Sequence, residues 1–123
     1  MYIVSNNGDF ECYSIEEYKR ILTRCFENEN EIWISMHSDE EFPCLSILTG
    51  KIGVSITYFS KNNDEQYVSI GNQECEGMEE FLGGQYEVER CQIIPYEDAM
   101  ECAMEFFETQ QRPNNIEWDA LFE

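Results

Sequence analysis

CQIIPYEDAMECAMEFFETQQRPNNIEWDALF, residues 91–122, is the stretch whose reading decides the fold. It reads as an apolar strand end, a proline-opened helix, an Arg-Pro turn and an extended tail bearing a tryptophan. In the helix, Tyr96, Ala99, Met100, Ala103 and Phe107 recur at the i, i+3, i+4 spacing of one apolar stripe. Glu97, Glu101, Glu105 and Glu108 take the opposite side. Pro95 suits the first helical position, where its missing N–H would have had no partner. Glu97 and Asp98 favour the positive end of the helix dipole. Gln110, Gln111, Arg112 and Pro113 stop the helix, and residues 114–118 form a tail that returns to a sheet edge. Such a helix packs one face on a core and offers carboxylates to water.

Upstream, a second helix starts at Ser14. Ser14-Ile15-Glu16-Glu17 matches a capping box, in which the hydroxyl and the Glu17 carboxylate each cover an orphan amide. Ile15, Tyr18, Leu22, Cys25 and Phe26 make its apolar stripe, and Arg20 and Arg24 complement the dipole towards its end, set at residues 28–30. Strand-like segments lie before and between the helices. Residues 2–4 precede a turn at 6–9, and Ile32, Ile34 and Met36 share one face of a strand over 32–37. A charged loop over 38–41 follows, then strands over 44–48, 52–59, 67–71 and 86–94, with a further short one at 78–81. Connections too short for crossover helices make consecutive strands antiparallel neighbours. The expected fold is a single α+β domain over residues 1–123, an antiparallel β-meander sheet with an N-terminal and a C-terminal helix packed on one face. Trp33 and Trp118 are assigned to the core.

Charge is the strongest global signal: 26 Asp and Glu stand against 7 Lys and Arg, a net charge of −19. That balance disfavours phosphate backbones and anionic membranes, so no nucleic-acid and no membrane partner is expected. It suits a basic protein, whose approach it would accelerate. Like charge also disfavours tight self-association, so a monomer or weak dimer is expected. The acids occupy long stretches without a counter-charge. Asp64, Glu65, Glu74, Glu76, Glu79, Glu80, Glu87 and Glu89 follow one another with no Lys or Arg between them. The densest group, Glu74, Glu76, Glu79 and Glu80, falls in a glycine-punctuated segment where binding loops commonly lie. With Asp39, Glu40 and Glu41 it makes the candidate partner-binding surface, chosen on charge alone.

Catalytic, cofactor and metal sites are not expected. The single histidine, His37, ends a strand beside an acidic loop, and six scattered cysteines include no CxxC pair. Reduced thiols, the absence of a basic-then-apolar leader and the absence of a long apolar run point to a cytoplasmic protein. Acids are too numerous for any spacing to single out an acid/base pair. Two readings stay open on residues alone: an acidic adaptor or nucleic-acid mimic binding a basic protein, and a small hydrolase or thiol enzyme using His37 and a cysteine.

The closing third carries a resemblance. Ile94-Pro95, Ala99 and Ala103, the run Glu105 to Thr109 with Phe107, Arg112-Pro113 and Ile116-Glu117-Trp118 resemble the closing signature of immunity protein family 1 from bacterial polymorphic toxin systems. Phe42-Pro43 with Leu45 looks like the lead-in to that family's central strand, so the likeness touches residues 42–118. Where many relatives carry a glycine after the helix, this chain has Gln110-Gln111. The resemblance implies a small α+β cytoplasmic protein that binds and blocks a cognate toxin domain, often a nucleic-acid deaminase, and does no catalysis itself. Its matched positions, Phe42, Pro43, Ile94, Pro95, Ala99, Ala103, Phe107, Pro113 and Trp118, imply structural roles.

Overall fold

The computed structural model describes residues 1–121; Phe122, the last residue of the quoted stretch, and Glu123 lie outside the described residues. In chain order the elements are β1 (Tyr2–Ser5), β2 (Gly8–Glu11), α1 (Ile15–Cys25), β3 (Asn30–His37), β4 (Glu40–Thr49) and β5 (Val54–Phe59). Then come β6 (Gln66–Ser69), β7 (Met78–Phe81), β8 (Tyr86–Glu89), α2 (Tyr96–Thr109) and β9 (Trp118–Ala120). Seven strands form one antiparallel sheet in the order β2-β1-β3-β4-β5-β6-β9, and β7 and β8 pair as a separate hairpin. This is the α+β meander expected from the connection lengths, and the tail does return to the sheet edge.

Strand periodicity decides what faces the core. Ile32, Ile34 and Met36 are buried, while Glu31, Trp33, Ser35 and His37 point the other way. The register aligns Ile3 with Ile34, Ile34 with Leu45 and Leu45 with Tyr58, a row running across four strands on one face. Both helices cover that face, α1 through Tyr18, Leu22 and Cys25 and α2 through Ala99, Cys102, Ala103 and Phe106. The Tyr18 hydroxyl crosses between the helices to donate to the Ala103 carbonyl at 2.7 Å, so a fully buried phenol is satisfied. Burial holds its pKa well above the ordinary tyrosine value.

Several local expectations are corrected. Gly8 and Asp9 are not part of the turn but open strand β2, because Asn6 and Asn7 alone close the β1–β2 hairpin. Asn30 does not end α1; it opens β3 and is buried. Its amide carbonyl accepts from the Asn6 N–H at 3.0 Å, and its amide nitrogen donates to Cys25 O at 3.0 Å and to Asn7 Oδ1 at 2.8 Å. One buried amide thus ties the first hairpin to the end of α1. The capping box is displaced by one residue at its return bond. Ser14 Oγ accepts from the Glu17 N–H, but the Glu17 carboxylate takes the N–H of Tyr13 at 2.9 Å.

The 38–41 loop is a two-residue turn at Ser38 and Asp39, with Glu40 and Glu41 already in β4. The strand over 86–94 breaks at Glu89 into a short 3₁₀ turn, Arg90–Gln92, after which Ile94 bridges back to Val54. Pro95 caps α2 from outside rather than occupying its first turn. The buried stripe of α2 is rotated from the one read in the sequence. Cys102 and Phe106 are fully buried, whereas Tyr96, Met100 and Phe107 are half-buried along its flank. With Phe106 and Phe107 adjacent, helical spacing alone could not choose between them.

The end of α2 yields a prediction. Gln110 holds the left-handed conformation (φ 57°) with its N–H on the Phe106 carbonyl at 2.8 Å, a position that costs a non-glycine residue about 1 kcal/mol. Gln110→Gly is expected to stabilise the protein by about 0.5–1 kcal/mol, read as a higher urea midpoint at unchanged slope. A midpoint that stays or falls would show that the strain is already relieved by Thr109 and Gln111.

Candidate functional site

The second face of the sheet is where the fold leaves something unexplained. An antiparallel sheet with one wet face normally shows polar residues there. Here the β7–β8 hairpin covers one end of that face. The Tyr86 hydroxyl donates to Glu31 Oε2 at 2.7 Å, and the fully buried Phe81 ring lies so close to Gly50 that a Cβ there would meet it at 2.6 Å. Hydrogen bonding to the Glu31 carboxylate, with some burial, raises the Tyr86 pKa above its ordinary value.

Beyond the hairpin the face is bare and aromatic. Trp33, assigned to the core from the sequence, sits here 39% exposed, stacked on Phe59 with ring centroids 5.9 Å apart. Phe42 joins Phe59 at 6.1 Å. Register explains the grouping: Val4 is opposite Trp33, Trp33 is opposite Ser46, and Cys44 is opposite Phe59. Next to these rings is a cleft of about 280 Å³ lined by Tyr2, Val4, Trp33, His37, Glu41 and Phe42 among others. The strand alternation that buried Ile32 and Ile34 was the signal that should have placed Trp33 outward.

The acids selected from the sequence do not form one patch. Asp39, Glu40 and Glu41 are exposed at the β3–β4 turn, and Glu40 and Glu41 also line the cleft. Glu74 and Glu76 lie exposed in the loop before β7, while Glu79 and Glu80 are on β7 itself. Glu79 pairs with Arg90 at 3.3 Å, the one ion pair found among the described residues. The β7–β8 hairpin is anchored through Tyr86 at the Glu31 end of β3, whereas Asp39, Glu40 and Glu41 follow its other end at His37, roughly 20 Å away at about 3.3 Å per residue. Their charge is almost wholly uncompensated.

The residues of the closing signature lie at packing and turn positions. Ile94 and Val54 exchange two backbone hydrogen bonds at 2.8 and 2.9 Å, and Ala99 and Ala103 are buried under the helix. Phe107 packs 4.8 Å from the Tyr18 ring. Trp118 is half-buried beside Tyr58, its indole donating to the carbonyl of the buried Pro113 at 2.7 Å. Of the earlier pair, Pro43 is buried and Phe42 is half-exposed on the bare face.

His37 and Cys44 both line the cleft, but burial, with Glu41 adding to it, pushes the Cys44 thiol up to about 12. A thiol so held stays protonated at neutral pH and is a poor nucleophile. Cys12, Cys25 and Cys102 are buried free thiols with pKa values raised by burial. Among the described residues no group of three or more His, Cys, Asp or Glu is placed to hold a metal ion. No helix among them is long and apolar enough to cross a membrane.

Comparison with known proteins gives one informative likeness. Over 98% of its length the chain is 28% identical to a double-stranded DNA deaminase immunity protein from Burkholderia cenocepacia (strain H111), and the alignment spans the whole of that relative. No family model matches the chain. The likeness to an immunity protein agrees with the resemblance read from residues 42–118.

Proposed function

We propose that this protein is an immunity protein that binds and neutralises a cognate DNA-directed deaminase toxin by stoichiometric association in the cytoplasm, without catalysis of its own. The observation that carries this reading is the nearly full-length likeness to a DNA deaminase immunity protein. Charge supports it from the other side. A protein that acts on DNA needs a cationic surface for the phosphates. A small domain at −19, with its acids largely unpaired, is complementary to such a surface. The acidic surface is proposed to include Asp39, Glu40 and Glu41 at the β3–β4 turn and Glu74, Glu76, Glu79 and Glu80 around β7. Immunity-protein-like function is assigned to the whole of residues 1–123, acting as a monomer or weak dimer.

Co-expression is the direct test. Cells producing the cognate deaminase toxin domain are expected to recover growth when this protein is made with it, and to stop growing without it. Blocked growth with both proteins soluble would sink the reading.

A further inference from the structure

We propose that the bare half of the sheet, centred on Trp33, Phe42 and Phe59, is the docking surface for the toxin, and that its cleft receives an arginine- or lysine-bearing loop. The inference rests on the proposed immunity function and adds where the partner binds and by what chemistry. Three observations carry it. First, the aromatic cluster is on the wet side of an antiparallel sheet, where polar residues would serve a protein with no partner. Stacked aromatics of this size, partly open to water, are the usual anchors of protein interfaces.

Second, the cluster is held ready. Glu31 Oε2 accepts from both the Trp33 indole, at 3.3 Å, and the Tyr86 hydroxyl, at 2.7 Å. The β7–β8 hairpin therefore reaches the Trp33 indole through Glu31, and orienting that ring before a partner arrives would lower the entropic cost of binding. Glu31 is a positioning residue in this scheme.

Third, charge selects the occupant. Glu40 and Glu41 are among the residues lining the cleft, and no Lys or Arg is. An aliphatic stem laid against Val4 and the aromatic rings, with a guanidinium or ammonium reaching these carboxylates, satisfies both halves of the lining. A guanidinium also stacks well on an indole face. An acidic or wholly apolar segment would leave two carboxylates desolvated without a counter-charge.

The test measures association and dissociation of the full chain with an inactivated form of its cognate deaminase toxin domain. Trp33→Ala is expected to weaken binding by about thirtyfold or more, chiefly through faster dissociation, while Trp33→Phe keeps most of the affinity. Thr57→Lys, which adds a cation to the same face opposite Ser46 and removes no core atom, should weaken binding as well. If the parent binds tightly and both Trp33→Ala and Thr57→Lys bind within about threefold of it, this docking surface is wrong while the immunity reading stands. A loss confined to Lys substitutions at Glu74, Glu76 and Glu80 would likewise overturn it in favour of the β7 end. If the parent does not bind at all, both the surface and the immunity reading fall.

Discussion

Phe106→Ala is expected to cost about 3–5 kcal/mol of folding stability, the largest effect of any single truncation of α2. Phe106 is fully buried, edge-on to Tyr58 at 6.3 Å, in the middle of the core that joins α2 to the sheet. Its removal forfeits the transfer energy of a benzyl group and leaves a void among Tyr58 and its other core neighbours, side chains that cannot close it without moving strands. Since a domain of this size holds roughly 5–15 kcal/mol in all, the variant would be marginal. Urea titration should show the midpoint falling far at nearly unchanged slope, and the melting temperature dropping on the order of 10–20 °C. Phe107→Ala makes the comparison sharp. That ring is half-buried against Tyr18, so its loss should cost about half as much or less. A larger cost for Phe107→Ala than for Phe106→Ala would mean that α2 packs in the phase first read from its sequence. Under the proposed immunity function, the Phe106 variant would protect cells poorly through low abundance, with the affinity of its folded fraction intact.

That prediction also marks where sequence reasoning reached its limit. The pattern of β3, apolar at Ile32, Ile34 and Met36, gave both a strand and its buried face, since a period of two allows no other arrangement. Ser14 announced α1 through a cap bond that is present. In α2, by contrast, eight of the fourteen residues are apolar enough to be buried (Tyr96, Ala99, Met100, Cys102, Ala103, Met104, Phe106 and Phe107), and such a helix can turn by one position without exposing anything costly. Only the shape of the sheet beneath fixes the phase. The candidate site was legible in its charge and illegible in its arrangement. Val4, Trp33, Phe42 and Phe59 come from four strands and meet only through register. Trp33 was judged by its size, which favours burial, when its position between Ile32 and Ile34 already placed it outside.

Reversing the acids of the β3–β4 turn, with Asp39, Glu40 and Glu41 each changed to Lys, is expected to slow association with the toxin domain by about 10- to 100-fold at low ionic strength. All three are exposed, and two border the proposed cleft, so each reversal turns an attractive approach to a cationic loop into a repulsive one. The effect must fade with salt, because the screening length contracts from about 30 Å at 0.01 M to about 3 Å at 1 M. Stopped-flow rates measured across that range should therefore converge for parent and variant, while a purely structural defect would persist at every salt concentration. A control of equal charge separates local from global electrostatics. Glu97, Glu101 and Glu108 are exposed on α2, in the layer that covers the opposite face of the sheet. Their reversal changes the net charge by the same amount, yet it should slow association only a few-fold, since the field it alters points away from the docking face. Equal slowing by the two triple variants would show that net charge alone attracts the proposed toxin partner and that the β3–β4 turn has no special part in steering.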